Sequence, residues 1–248
     1  MLEQGKITAH DRLTPEHPLY ILKIHAPETA TAVKPGQFVM VRCGELFLRR
    51  PISVCHAGDE IIWLCYEVRG EGTAWMSRLS VGGAVDLLGP VGNGFDLEVS
   101  GRALLIGGGI GIYPLYSPAK HFARRADVVL GFRTAKLVNF ENEFKETGAG
   151  VFITTDDGSY GTPGYAAGKA SELLDKGKYD IIMCCGPAVM MKGVAEAAAA
   201  RGIRCQLSLE ERMACAVGAC LACVCETRDG KKRVCADGPV FEATDVVF

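Results

Sequence analysis

No part of this 248-residue chain stays apolar for the ~18 residues that a membrane-spanning helix requires, which argues against a bilayer-embedded protein. An excess of one charge is also missing. The 27 lysines and arginines against 29 acidic residues leave a formal net charge of -2, and no basic footprint for a nucleic acid emerges. Residues 1–10 carry Glu3, Gln4 and Lys6 where a secretory leader would have an apolar run. A reducing, cytoplasmic setting is therefore expected. Histidine is scarce, and the five at positions 10, 17, 25, 56 and 121 share no ligand spacing. No side chain is nominated as a catalytic acid or base.

What the chain does have is a 48% hydrophobic content, enough to fill real cores, a length that suits about two domains, and 11 cysteines. Four cysteines fall close to the C-terminal end as Cys215, Cys220, Cys223 and Cys235. The CxxxxCxxC spacing with a distant fourth cysteine is the plant-type ligand pattern for a 2Fe-2S cluster. Gly218 lets the loop turn, and Ala214, Ala216, Ala219 and Ala222 let backbone amides approach sulfur. Four thiolates would also satisfy zinc, although structural zinc usually takes paired CxxC knuckles, and plain core cysteines are a third reading. Disulfides are disfavoured by the absence of a leader. Cys225 is left out of the ligand set, because in an extended segment it points opposite to Cys223.

Between residues 6 and 94, short β-rich segments at 20–25, 37–42, 60–68 and 84–88 alternate with glycine and proline turns. Closely spaced strands without long helices predict a small antiparallel barrel or sandwich. Within it, Arg50-Pro51-Ile52-Ser53 places a guanidinium and a hydroxyl where they can clamp a phosphate or a flavin edge; the same tetrapeptide also suits a surface turn. Gly70-Glu71-Gly72-Thr73 precedes a helix-compatible stretch and suits a pyrophosphate, or serves as an ordinary helix start with Thr73 as N-cap. These two segments, followed by Gly89-Pro90-Val91-Gly92-Asn93-Gly94, resemble the FAD-binding barrel of the ferredoxin reductase superfamily.

At Gly101 the pattern changes. An apolar run at 103–106 enters Gly107-Gly108-Gly109-Ile110-Gly111, the start of an α/β unit in which Gly108, Gly109 and Gly111 would receive a dinucleotide phosphate. Short apolar strands at 127–132, 150–154 and 179–184 alternate with helix candidates at 140–146, 166–174 and 189–201, predicting a doubly wound parallel sheet. Ligand contacts are expected at the strand ends: Arg133 toward an adenosine ribose or phosphate or simply solvated, Asp156 or Asp157 toward a ribose hydroxyl or merely shaping the turn, and Cys185-Gly186 opening a helix. Ser117-Pro118 falls where the helix after the glycine loop should run, so that helix either starts near Pro118 or is kinked. This half is similar to the nicotinamide-binding portion of the same superfamily, in which a CGP at this point lies beside the nicotinamide. Cys185 is preferred over Cys184 on that ground.

Barrel, nicotinamide portion and C-terminal cysteine loop in that order, with the segments around Arg212 to Cys220 and Arg233 to Phe241, resemble the electron transfer subunits of class 1B dihydroorotate dehydrogenase. The resemblance spans essentially the whole chain. It implies an FAD barrel at 1–99, an NAD domain at 100–205 and a 2Fe-2S subdomain at 206–248. FAD contacts carried over by position are Arg50, Pro51, Ile52, Ser53, Cys65, Tyr66, Glu67, Gly72 and Thr73. A basic residue is common in the family where this chain has Glu67; a backbone contact survives that change, but a charge contact to the phosphates does not. The implied partner is an FMN-containing catalytic subunit in a two-plus-two heterotetramer. Dihydroorotate would be oxidised there, and its electrons would pass through the cluster and FAD to NAD. Two rival activities share the motifs: a subunit of an NAD(P)H-ferredoxin oxidoreductase, and a redox sensor without turnover. Met213, Val217, Leu221 and Val240 are expected to cover the cluster, or to be simple core.

Overall fold

Alternating inward and outward side chains shape the first ninety residues. Six antiparallel strands, β1 (Leu2–Arg12), β2 (Leu19–His25), β3 (Phe38–Val41), β4 (Arg50–Gly58), β5 (Ile61–Glu67) and β6 (Ala84–Val91), close in the order β1-β2-β5-β4-β3-β6. Each strand sends apolar residues into one core, among them Ile7, Leu22, Val39, Val54, Leu64 and Leu87. Burying each such side chain stabilises the barrel by about 1.5–3 kcal/mol relative to exposure. Closure gives every strand a hydrogen-bonded neighbour on both sides, with the β4–β5 ladder ending at Val54↔Leu64. Short helices α1 (Pro27–Ala32) and α2 (Glu71–Met76) follow β2 and β5.

The computed structural model describes residues 1–248 as two compact units. The barrel unit comprises Met1–Gly94, Glu210–Cys225 and Lys231–Pro239; the other comprises Phe95–Leu209, Glu226–Gly230 and Val240–Phe248. The second unit is a seven-stranded sheet. Its strands are β7 (Ala103–Gly108), β8 (Ala126–Phe132), β9 (Gly150–Thr155), β10 (Thr162–Pro163), β11 (Ile181–Cys185), β12 (Arg204–Ser208) and a late strand, Val240–Glu242, in the order β10-β9-β8-β7-β11-β12 followed by that late strand. All pair in parallel except the late edge strand, which runs antiparallel to β12. Parallel strands covered on both faces should be apolar throughout, and all six residues of β7 are buried. Leu104, Ile106, Val129 and Ile182 pack beneath helices α5 (Ala166–Lys176) and α6 (Ala188–Ala199). The buried residues between them, such as Leu105 and Val128, face the opposite side, which α3 (Tyr116–Phe122) and α4 (Glu141–Glu146) cover. Val224–Thr227 and Gly230–Arg233 pair as a separate two-stranded ribbon; with them the strands number β13, β14 and, for Val240–Glu242, β15. No helix is long and apolar enough to cross a membrane.

The architecture expected from the sequence is present, with several local corrections. Of the two outcomes open for Pro118 the late start holds: residues Gly109–Leu115 form a 3-10 turn, α3 begins at Tyr116, and Pro118 lies in its first turn, where proline is tolerated. Thr73 is not an N-cap. Gly70 holds that position, and Thr73 lies three residues into α2 with its hydroxyl turned back to accept from the Arg69 and Gly70 amides at 2.9 and 3.3 Å. Val240 does not belong to the cysteine loop but pairs with Ser208 at the sheet edge.

Candidate functional site

Arg50 to Ser53 open β4, and Cys65 to Glu67 end β5, so antiparallel neighbours bring both segments to one rim of the barrel. The β4–β5 ladder runs from Gly58↔Ile61 to Val54↔Leu64 after a register shift at Val54/His56, while residues 50–53 pair with β3. Beyond that last pair the two strands part, and the first residues of β4 face the end of β5 without a ladder between them. Arg50 folds over α2: a Cβ added to Gly72 would collide with Arg50 Nε and lie 2.7 Å from its Cγ. The rim thus gathers a guanidinium, a glycine-floored approach and the Ser53 hydroxyl, a donor set that fits the pyrophosphate and ring edge of FAD, while the Thr73 hydroxyl donates to the Gly70 carbonyl at 3.1 Å and braces the start of α2.

Not every residue named for this rim reaches it with its side chain. Ile52 and Tyr66 belong to the barrel interior, Cys65 is buried, and Pro51 is half-buried. Tyr66 is fixed by His10, a partner the sequence did not disclose. His10 Nδ1 faces the Leu79 carbonyl at 2.9 Å and so carries the hydrogen; Nε2 accepts from the Tyr66 hydroxyl at 2.8 Å. Burial, with Tyr20 alongside, pushes the Tyr66 phenol well above its ordinary range. Glu67 is occupied on both oxygens, by His17 Nε2 at 2.7 Å and Arg69 Nε at 2.6 Å. Its negative charge is thereby partnered by the Arg69 guanidinium.

In the second unit, strand order reverses between β7 and β11, the switch point where open α/β sheets bind ligands beyond the strands' carboxyl ends. The predicted loops meet there. A Cβ on Gly111 would strike the Cys185 carbonyl, one on Gly108 would lie 2.8 Å from Met190 Sδ, and one on Gly186 would lie 3.0 Å from the Gly108 amide nitrogen. Gly109, at φ +58, has nothing within 4 Å of its Cβ position and is exposed. Backbone packed tightly behind and open in front suits the close approach of a dinucleotide phosphate. Cys184 is fully buried while Cys185 is partly exposed, so only Cys185 can meet a ligand. Arg133 is exposed past β8. Asp157 is committed to its turn: Oδ1 accepts from the Ser159 amide at 3.0 Å and hydroxyl at 2.6 Å, and these bonds hold its carboxyl below the usual range. Ser159 Oγ in turn accepts from the Ala135 amide at 2.7 Å, tying the β8 and β9 loops together.

The cysteine loop belongs to the barrel unit. Left-handed backbone at Ala216, Gly218 and Leu221, with φ of 58, 76 and 59, winds the segment tightly and turns its amides toward sulfur. Cys215 Sγ accepts from the Cys220 amide at 3.4 Å and the Val217 amide at 3.5 Å, and Cys223 Sγ from the Cys235 amide at 3.4 Å. The amide of Cys220, with that of Val217, pulls Cys215 down to about 6. Burial, with a bond to Cys223, pushes Cys235 up to about 11. No three side chains of ligand type converge on one point. Instead amide bonds tie the four cysteines two by two, the Cys220 amide to Cys215 sulfur and the Cys235 amide to Cys223 sulfur. Two pairs facing inward-pointing amides fit a two-iron cluster, in which each iron takes two thiolates and the sulfurs need donors. Of the residues expected to cover it, Val217 and Leu221 are exposed, and Val217 lines a recess of about 310 Å³ with Met1, Leu88, Pro90 and Cys235. Asn93, from the Gly89–Gly94 segment, steadies the loop by donating to the Ala236 and Asp237 carbonyls at 3.1 and 3.2 Å.

A barrel of this topology, a parallel sheet whose glycine turns meet at its switch point, and paired thiols on an amide-lined loop define an oxidoreductase of ferredoxin reductase architecture with an iron–sulfur segment. The family model described as the iron–sulfur cluster binding domain of dihydroorotate dehydrogenase B matches residues 210–247. The chain is 42% identical over 220 residues to the dihydroorotate dehydrogenase B (NAD(+)) electron transfer subunit of Caldanaerobacter subterraneus subsp. tengcongensis, covering 86% of this chain and 87% of that one. It is 43% identical over 246 residues to the same-named subunit of Geobacillus thermodenitrificans, covering 92% and 93%. Among solved structures, that of an NADH-dependent reduced ferredoxin-NADP oxidoreductase superposes with a TM-score of 0.88 at 30% identity over 98% of this chain and 89% of the other. The chain belongs to the family of dihydroorotate dehydrogenase B electron transfer subunits.

Proposed function

We propose that this chain is the electron transfer subunit of an NAD-dependent dihydroorotate dehydrogenase in pyrimidine biosynthesis. The observation that carries the reading is the amide-to-sulfur pairing of Cys220 with Cys215 and of Cys235 with Cys223, within a chain about 40% identical to same-named subunits along most of its length. The functional division runs as an FAD portion at 1–99, an NAD portion at 100–205 and a cluster portion at 206–248.

Once bound, the cluster exchanges one electron at a time, flavin converts between single electrons and pairs, and nicotinamide takes a hydride. The protein's own residues bind, orient and tune. The four cysteines hold the irons while the amides of Val217 and Cys220 place positive dipoles at sulfur. Arg50, Gly72 and Thr73 receive the FAD pyrophosphate; Pro51, Ser53 and the backbone of Ile52, Cys65, Tyr66 and Glu67 border its ring, where the Arg50 charge favours reduced, anionic flavin. Gly108, Gly109 and Gly111 admit the NAD phosphates, Arg133 and Asp157 border the adenosine end, and Cys185 with Gly186 lies beside the nicotinamide.

The partner is an FMN-containing catalytic subunit, two copies of each forming a cytoplasmic heterotetramer, with the exposed Val217 and Leu221 on the side it approaches. Anaerobic co-purification from the native source, with flavin, iron and sulfide analysis, tests the reading. FAD, FMN and two irons together with dihydroorotate-dependent NAD reduction support it. A specific observation keeps a second reading in view, the 30% identity to the ferredoxin-NADP oxidoreductase. Under that reading the purified complex reduces ferredoxin from NADPH and lacks FMN.

A further inference from the structure

Arg233 supplies no ligand, yet it joins the two segments that do. Its guanidinium forks onto Asp237, with Nε to Oδ2 at 2.9 Å and Nη2 to Oδ1 at 3.1 Å, while its own backbone amide donates to the same Oδ2 at 2.8 Å. Its carbonyl accepts from the Ala236 and Asp237 amides at 3.1 and 2.7 Å, closing the turn that carries Cys235. The remaining nitrogen, Nη1, crosses to the Gly218 carbonyl at 3.2 Å, midway between Cys215 and Cys220.

That crossing bond has a directional consequence. In a trans peptide the carbonyl and the following N–H point opposite ways. Holding the Gly218 carbonyl toward Arg233 therefore turns the Ala219 N–H away from it, within the loop whose Val217 and Cys220 amides donate to Cys215 sulfur at 3.5 and 3.4 Å. Gly218 also leaves no room for a different arrangement: a Cβ there would lie 3.0 Å from the Ala236 Cβ and 3.3 Å from Arg233 Nη1. The charges matter as well. Arg233 and Asp237 flank Cys235 in the chain and neutralise each other, with side-chain exposures of 40% and 29%, so solvent screens them only in part. A cluster gaining an electron becomes more negative and responds to whichever of the two charges is left alone.

We propose that Arg233 is a positioning residue for the iron–sulfur site, clamping the Cys215–Cys220 loop onto the Cys235 turn, and that the Arg233–Asp237 pair sets the cluster's reduction potential. The inference rests on the iron–sulfur reading above. Iron and sulfide analysis of the wild-type complex examines that reading first, and a wild type without iron and sulfide removes the reading itself.

With a loaded wild type, EPR-monitored redox titration of the complex carrying Arg233→Gln, Arg233→Lys or Asp237→Asn examines the proposal. Arg233→Gln leaves the Asp237 carboxylate alone and shifts the reduction equilibrium roughly tenfold against the reduced cluster, about 59 mV for one electron. Asp237→Asn leaves the guanidinium alone and shifts it the other way. Arg233→Lys keeps the charge but lacks the fork, so its potential stays within about threefold of wild type while iron retention falls. Should Arg233→Gln fail to load, the Asp237→Asn and Arg233→Lys titrations decide. Potentials that do not move in Arg233→Gln and Asp237→Asn, or that move in the same direction, overturn the proposal, because a purely structural clamp has no reason to produce opposite signs.

Discussion

Gly111 packs so closely on the Cys185 carbonyl that no side chain fits between the turns that end β7 and β11. A methyl group at this position must push the two strand ends apart, and they form the floor of the proposed nicotinamide site. Gly111→Ala is expected to raise the KM for NAD at least tenfold while flavin and iron content stay at wild-type levels. Unchanged NAD kinetics in a folded, flavin-loaded variant would place the dinucleotide elsewhere.

Gly72 and Arg50 have a similar relationship at the barrel rim, where the guanidinium stem lies over the glycine. Gly72→Ala displaces Arg50, and Arg50→Gln removes its charge. Both variants should purify with less than half the wild-type FAD, and added FAD should restore Arg50→Gln more slowly than wild type. Flavin-to-protein absorbance ratios measure this directly; full retention in both variants would exclude Arg50 from the FAD site.

Cys220 is the exposed member of its thiol pair, so exchanging its sulfur for oxygen disturbs the fewest neighbours. Cys220→Ser should lower cluster occupancy and abolish dihydroorotate-dependent NAD reduction, while NADH-dependent dye reduction persists, since dye reduction needs only the flavin. Normal transfer from dihydroorotate to NAD in this variant would sink the proposed route.

Two buried thiols make the sheet unit sensitive to alkali. Burial, with the Glu242 carboxylate, pushes Cys205 up to about 12, and burial pushes Cys184 well above its ordinary value near 9. A group whose folded pKa exceeds its unfolded pKa stabilises fully below the unfolded value and loses that contribution as pH rises through the folded one. Stability to urea should therefore decline between about pH 9 and 12, less steeply in Cys205→Val. A profile unchanged by that substitution would assign the alkaline loss to other groups.

Leu104 lies in the central strand and is fully excluded from solvent. Leu104→Ala should destabilise the sheet unit by about 2–5 kcal/mol through lost burial and the cavity left behind. Equilibrium denaturation measures the change.

The readable features were those encoded at short range. The spacing of Cys215, Cys220 and Cys223 is a local property of the chain, and so is the wholly apolar run of β7, which marks a strand covered on both faces. The glycine run at 107–111 announced its turn for the same reason. Strand β12 is not legible as a sheet member because charged and polar Arg204, Gln206 and Ser208 interrupt its apolar run, and the antiparallel β15 has only three residues. Tyr66 was named as a cofactor neighbour from its place in a segment; that its ring turns inward to His10, 56 residues away in sequence, depends on the closed barrel. Asp157 bonds through Oδ1 to the Ser159 amide and hydroxyl, contacts that depend on how its turn folds.

By itself, then, the sequence determined the class of each part: a barrel from period-two strands, a parallel sheet from apolar runs, and a two-iron site from ligand spacing, all consequences of local backbone preference and side-chain order. Only the tertiary structure decided how Arg233 meets Gly218, how Arg50 meets Gly72 and how Gly111 meets Cys185. Each of these contacts joins segments that are independent in sequence and become neighbours only when buried apolar faces bring their strands and loops together.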